Sequence, residues 1–175
     1  MKPPKRMLVE LPTADEIDAL AMSTPELSVR KFEYDMKDGA ADLDYAPCKG
    51  RVMLVVRGEK GTALVRRDGE EGWSLPSGPI NTYEDITDSA KRVAKESCGL
   101  SLRSMDLAAI YDVVWHYGDV TVKRLHIVYA AVTDDADCRV TPGGGWHESG
   151  FHRDVQGTML RDELDRTALA DCAAK

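Results

Sequence analysis

Arg66 and Arg67 end an apolar run, TALVRR, and strand alternation sends the two guanidiniums to opposite faces, so one is placed to meet a phosphate while the other is a solvated surface charge. Trp146 to His152 reads as part of a glycine-rich loop, where Trp146 is the aromatic residue freest to stack on a base or sugar; Trp73, Trp115 and Tyr117 read as core. His147, Glu148 and His152 gather a carboxylate and two imidazoles in one short stretch, a set suited to proton transfer, although the histidines lack a familiar metal-ligand spacing. For Asp112 and His116, near a strand, a core or surface role is the better reading. The densest group lies between Gly78 and Gly99, where Glu84, Arg92 and Glu96 share one segment.

That segment, GPINTYEDITDSAKRVAKESCGL from Gly78 to Leu100, resembles a Nudix box. Gly78, Glu84, Arg92, Glu96, Gly99 and Leu100 fall in register with fixed positions of the family pattern, and Trp73-Ser74-Leu75-Pro76-Ser77-Gly78 resembles its lead-in, with Ser77 in place of a glycine. Val93 and Ser97 stand where the family carries the first and third glutamates of its helix.

The resemblance implies hydrolysis of a diphosphate in a nucleoside diphosphate linked to another group, with Mg²⁺ or Mn²⁺ held by glutamates on one helix face and water as nucleophile. Positions 93, 96 and 97 are neighbours on a helix surface, which is where such carboxylates cluster. Here the trio is Val, Glu and Ser, so Glu96 is the one metal ligand carried over, and metal binding is expected to be weak or substrate-dependent. The resemblance implies that Glu84 and Arg92 brace the loop against the helix, and it makes Glu148 the candidate general base. Arg66, Arg67 and Trp146 are the candidate substrate contacts. Two readings follow: a divergent Nudix-type hydrolase with a reduced metal site, or a catalytically inactive Nudix-fold protein that binds a nucleotide or a protein partner in a regulatory role. On the first, Val93→Glu with Ser97→Glu should raise metal-dependent hydrolysis.

The elements that must position these residues are legible in the pattern. Thr13 to Met22 reads as a short amphipathic helix with a polar cap, and Ser28 to Met36 as a strand followed by a Lys37-Asp38-Gly39 turn. RVMLVVR, the Gly58-Glu59-Lys60-Gly61 turn and TALVRR read as a hairpin, and Ile86 to Ser97 as a helix ended by a left-handed Gly99. Asp106 to Trp115 and Val120 to Thr133 form a second hairpin, Pro142 to Gly145 an exposed loop, and Thr158 to Ala174 a closing helix. The fold class is α/β (α+β). The resemblance implies a mixed β-sheet sandwiched between α-helices, with residues 1–48 as an N-terminal extension packing on a Nudix-like domain of residues 49–175.

With 175 residues, 43% of them apolar, the chain has enough material for one core. A net charge of -7 argues against a surface built for a nucleic-acid backbone and favours free nucleotide derivatives. Apolar stretches of signal-peptide or bilayer-spanning length are absent, so the expected location is the cytoplasm, with a homodimer as one possible assembly. Cys48, Cys98, Cys138 and Cys172 are widely spaced and read as reduced thiols.

Overall fold

The computed structural model describes residues 11–36, 50–141, 145–156 and 159–173. Helix α1 (Ala14–Ser23) opens with Thr13, whose side chain accepts from the Glu16 amide while Glu16 reaches back, a reciprocal cap that satisfies the first turn. Seven strands follow in one mixed sheet: β1 (Ser28–Asp35), β2 (Gly50–Gly58), β3 (Gly61–Arg67), β4 (Ser77–Ile80), β5 (Ser104–Tyr117), β6 (Val120–Val132) and β7 (Trp146–His152). Helix α2 (Ile86–Cys98) lies between β4 and β5, and α3 (Glu163–Ala173) closes the described chain.

The strand order is β1-β5-β6-β2-β3-β7, with β4 pairing the first half of β2. The pairs β1 with β5 and β2 with β6 are parallel; the other pairs are antiparallel. The parallel β2–β6 ladder sets Arg51 beside His126 and Met53 beside Val128.

Alternation along β2 sorts the core into two layers. Val52, Leu54 and Val56 pack with Ala90, Val93 and Ala94 of α2. Met53 and Val55 pack with Leu64, Tyr111 and Val113, and with Ala168 and Cys172 of α3. The α3 side is pinned by buried Asp171, which accepts from Arg30 at 2.9 and 2.6 Å and from the Tyr111 hydroxyl at 2.5 Å. The sequence-derived helices and both hairpins are present, and the expected mixed sheet between helices is the observed architecture.

Three expectations change. Trp146 to His152 is an edge strand, β7, and not part of a glycine-rich loop, because β3 supplies a ladder partner that local composition does not reveal. Ser77–Ile80 is a short strand rather than loop. The last helix starts at Glu163, since Trp73 pairs with the 159–161 segment through its amide to the Met159 carbonyl (2.9 Å) and its carbonyl to the Arg161 amide (2.9 Å). The turns expected at Lys37-Asp38-Gly39 and at Pro142 to Gly144, and Cys48, lie outside the described residues. Cys98, Cys138 and Cys172 are free thiols. Among the described residues, no helix is long and apolar enough to cross a membrane.

Candidate functional site: a closed box helix and a charged cleft

Helix α2 begins after Asp85 and ends at Gly99, whose φ of 66° and amide bonds to the Ala94 and Lys95 carbonyls make a left-handed stop. A Cβ on Gly99 would also lie 2.9 Å from the Arg139 carbonyl, so the close approach of the following loop requires glycine there. Arg92 donates to Glu84 at 2.8 Å, to the Pro79 carbonyl at 2.6 Å and to Glu96 at 3.2 Å, and Ser89 donates to Glu84 at 2.8 Å. The Arg92 hydrogen bond, with Ser89 assisting, outweighs burial and holds the Glu84 carboxyl below its ordinary range. Glu84 and Arg92 thus tie the loop after β4 to the helix.

The two substituted positions face inward. Val93 is 3% exposed and belongs to the α2-side core, and a Cβ on Gly78 would sit 2.8 Å from its Cγ2. Ser97 is 1% exposed, and its hydroxyl is already committed to the Val93 carbonyl at 2.5 Å. Glu96 points outward, 55% exposed, with Arg92 as its ion-pair partner. Among the described residues, no cluster of three or more His, Cys, Asp or Glu side chains is placed to hold a metal ion. Mg²⁺ takes one or two protein carboxylates and completes its shell with water and substrate phosphates; here an aliphatic side chain and a committed hydroxyl leave Glu96 as the one box carboxylate at the surface. That set does not fit tight metal binding without a substrate.

The other sequence candidates fall into two pairs. A register shift in the β3–β7 ladder separates Arg66 from Arg67. Arg66 is bonded to Glu148 and lies over Trp73 at 5.3 Å. Arg67 lies over Trp146 at 4.5 Å, and both of these line the main cleft. Glu148 is therefore the partner of an arginine on the sheet edge, apart from Glu96, whose partner is on α2. His152 packs edge-on against Trp73 at 4.4 Å. His116 meets Glu33 at 2.6 Å, joining β5 to β1.

The cleft itself has a volume of about 470 Å³ and opens on the α3 side of the sheet. Its floor is built by residues of one alternation phase: Arg51 and Met53 from β2, Arg124 and His126 from β6, and Trp115 and Tyr117 from β5. The segment leading into α3 adds Arg161 and Asp162, and α3 adds Glu163 and Asp165; no residue of α2 lines the cleft. Arg161 is tied to Glu70 at 2.5 Å. Asp165 is buried; desolvation first and neighbouring Asp162 second push its carboxyl up to about 7, against the pull of the Leu75 backbone hydrogen bond and of Arg67 and Arg51. Sequence reasoning missed Arg51, Arg124, Arg161, His126 and Asp165. The available signal was the Arg-any-Met and Arg-any-His spacing, which puts each pair on one strand face, but which faces would converge depends on the β2–β6 pairing.

These features define the chain as a Nudix-fold protein: a glycine-bounded loop and helix braced by a Glu–Arg pair, packed on a mixed sheet with a second helix behind it. Solved structures share this fold. A Nudix hydrolase from Nitrosomonas europaea is 18% identical over 73% of this chain and 90% of its own, with a TM-score of 0.57. A pyrophosphohydrolase from Bacillus subtilis is 14% identical over 76% and 86%, with a TM-score of 0.58. The Nudix domain of NrtR from Shewanella oneidensis, solved with ADP-ribose, is 16% identical over 77% and 93%, with a TM-score of 0.56. At these identities the likeness establishes the fold. No family model and no curated protein matches the sequence.

Proposed function

We propose that this chain is a ligand-binding Nudix-fold protein that takes an anionic nucleotide derivative into the α3-side cleft and does not hydrolyse it. The observation that carries this reading is the burial of Val93 and Ser97: the face that would present carboxylates to a metal is part of the core. Arg51, Arg67 and Arg124 bring positive charge to a cleft that Glu70, Asp162, Glu163 and Asp165 also line, Arg161 being paired with Glu70, and Trp115 and Trp146 supply flat apolar surface for a ring. The NrtR neighbour's complex with ADP-ribose is consistent with a ligand of this class. In this reading residues 49–175 form the binding domain and residues 1–48 its N-terminal extension.

The second reading, a metal-dependent hydrolase cleaving a nucleoside diphosphate derivative, is favoured by the exposed Glu96 carboxylate beside an intact Glu84–Arg92 brace. In it Glu96 is the metal ligand for Mg²⁺ or Mn²⁺ and Glu148 the base. One experiment separates the two. Binding of nucleoside diphosphates and ADP-ribose is titrated with and without chelator, and phosphate release is followed with Mg²⁺ or Mn²⁺ for wild type and Glu96→Ala. Micromolar binding that survives chelator and Glu96→Ala, without turnover, is the expected result. Turnover that disappears in Glu96→Ala overturns it in favour of the hydrolase.

A further inference from the structure

His126 lies on the cleft floor, 5% exposed, between Arg51 on the neighbouring strand and Arg124 two residues away on the same face. Its Nδ1 is 3.4 Å from the Met53 sulfur. A thioether has no hydrogen to donate, so this contact is favourable when Nδ1 carries the proton and donates to sulfur; the other tautomer would oppose two lone pairs. The proton on Nδ1 leaves a lone pair on Nε2, and Nε2 is buried without a partner. Burial first, then Arg51 and Arg124, push the imidazole down to about 3, so the ring stays neutral and Nε2 stays an acceptor near pH 7. A buried acceptor without a donor is costly in a free protein and invites a ligand that supplies one.

Trp115 stands beside it, with ring centroids 5.8 Å apart and planes tilted by 47°. Its indole is partly exposed and lines the same cleft. Nε2 is buried, so a ligand reaches it by displacing a side chain of the cleft floor. A planar heterocycle laid against Trp115 brings its edge toward the imidazole, while Arg51 and Arg124 flank the position for attached negative charge.

We infer that His126 is the residue that reads the ligand: its Nε2 accepts a hydrogen bond from an N–H on the edge of a heterocyclic base whose anionic substituent lies among Arg51 and Arg124. This rests on the cleft being the binding site, and it adds the ligand's chemistry: a nucleobase bearing an N–H donor, selected by an acceptor with no alternative partner.

The test uses the full chain and titrates ADP, GDP, CDP and UDP by calorimetry and by tryptophan fluorescence. The tightest of these is compared with a counterpart lacking the base N–H donor, such as purine riboside 5′-diphosphate for ADP or the ring-N-methylated base for UDP. Wild type should prefer the donor-bearing nucleotide by roughly tenfold or more, as expected where a buried polar group is left unpaired by the analogue. His126→Leu should bind both equally, His126→Gln should recover part of the preference through its amide oxygen, and Trp115→Phe should lose most of the fluorescence change. Equal binding of nucleotide and analogue by wild type, or a preference that survives His126→Leu, overturns the role of His126 while the cleft reading stands. If none of the four nucleotides binds the folded wild type, the cleft reading falls and the inference with it. Should His126→Leu fail to fold, the wild-type comparison of nucleotide and analogue still decides.

Discussion

The two faces of one sheet carry different chemistry. On the α2 side, Val93 and Ser97 close the surface, and the remaining charges, Glu84, Arg92 and Glu96, are consumed by one another. On the α3 side, arginines, carboxylates, a neutral histidine and two indoles line an open cleft. A side chain that turns inward in a helix becomes packing, whereas polar groups on the strand floor beside α3 line a cleft. The comparison teaches that the recognisable motif and the open cleft need not share a face of the sheet.

The largest effect should come from forcing charge back into the closed face. Val93→Glu with Ser97→Glu is expected to cost several kcal/mol in denaturant unfolding, on the order of the penalty for burying unpaired carboxylates, and to yield no metal-dependent phosphate release. This reverses the gain expected from the motif, because both positions are in the core and not on the surface. A stable variant with Mg²⁺-dependent turnover would erase the contrast between the faces.

The cleft should announce itself through pH. Asp165 has a folded pKa raised from 3.8 to about 7, so the folded chain keeps a proton that the unfolded chain releases. Stability from this group is present in acid and is lost as pH rises from about 4 through about 7. Asp165→Asn, which mimics the protonated form, should match wild type near pH 4 and exceed it above pH 7 by a few kcal/mol, read from the melting temperature across pH. His126 works in the opposite sense. Its folded pKa is lowered from 6.5 to about 3, so its contribution is lost as pH falls through that window, and His126→Gln should flatten that limb. A gap between Asp165→Asn and wild type that does not change with pH would rule out a raised carboxyl.

A smaller loss is expected from the brace. Arg92→Ala removes donors to Glu84 and to the Pro79 carbonyl and leaves a half-buried carboxylate, which should cost about 2 kcal/mol; Arg92→Lys should recover little, because a point charge cannot span both acceptors. Full recovery by lysine would mean that charge alone matters. The smallest effect belongs to Glu96→Ala, within about 0.5 kcal/mol for an exposed pair one helical turn apart. Ligand affinity should not change, and a tenfold loss would return function to the α2 face.

Much of the scaffold was legible because it is written in local signals. Thr13 caps α1, Gly99 ends α2, and the alternation of RVMLVVR and TALVRR announces β2 and β3. The Glu84–Arg92 contact was implied by the resemblance to the box, and the two residues do meet at 2.8 Å. The edge strand β7 was not legible: its residues look like a loop until β3 offers a ladder. The candidate site was legible only in part. Arg67 and Trp146 line the cleft together, while Arg66 and Glu148 pair with each other and Glu96 pairs with Arg92.

By itself the sequence determined the helices, the hairpins, the braced box and the absence of two carboxylates from it, because each depends on residues close in the chain. The tertiary structure decided where Val93 and Ser97 point and which residues line the cleft. Whether Val93 faces a solvent-filled site or the core, and whether Arg51, Trp115, Arg124 and His126 share one cavity, depends on which strands become neighbours and which face each helix covers. Those pairings join residues far apart in the chain, and local preference carries no information about them.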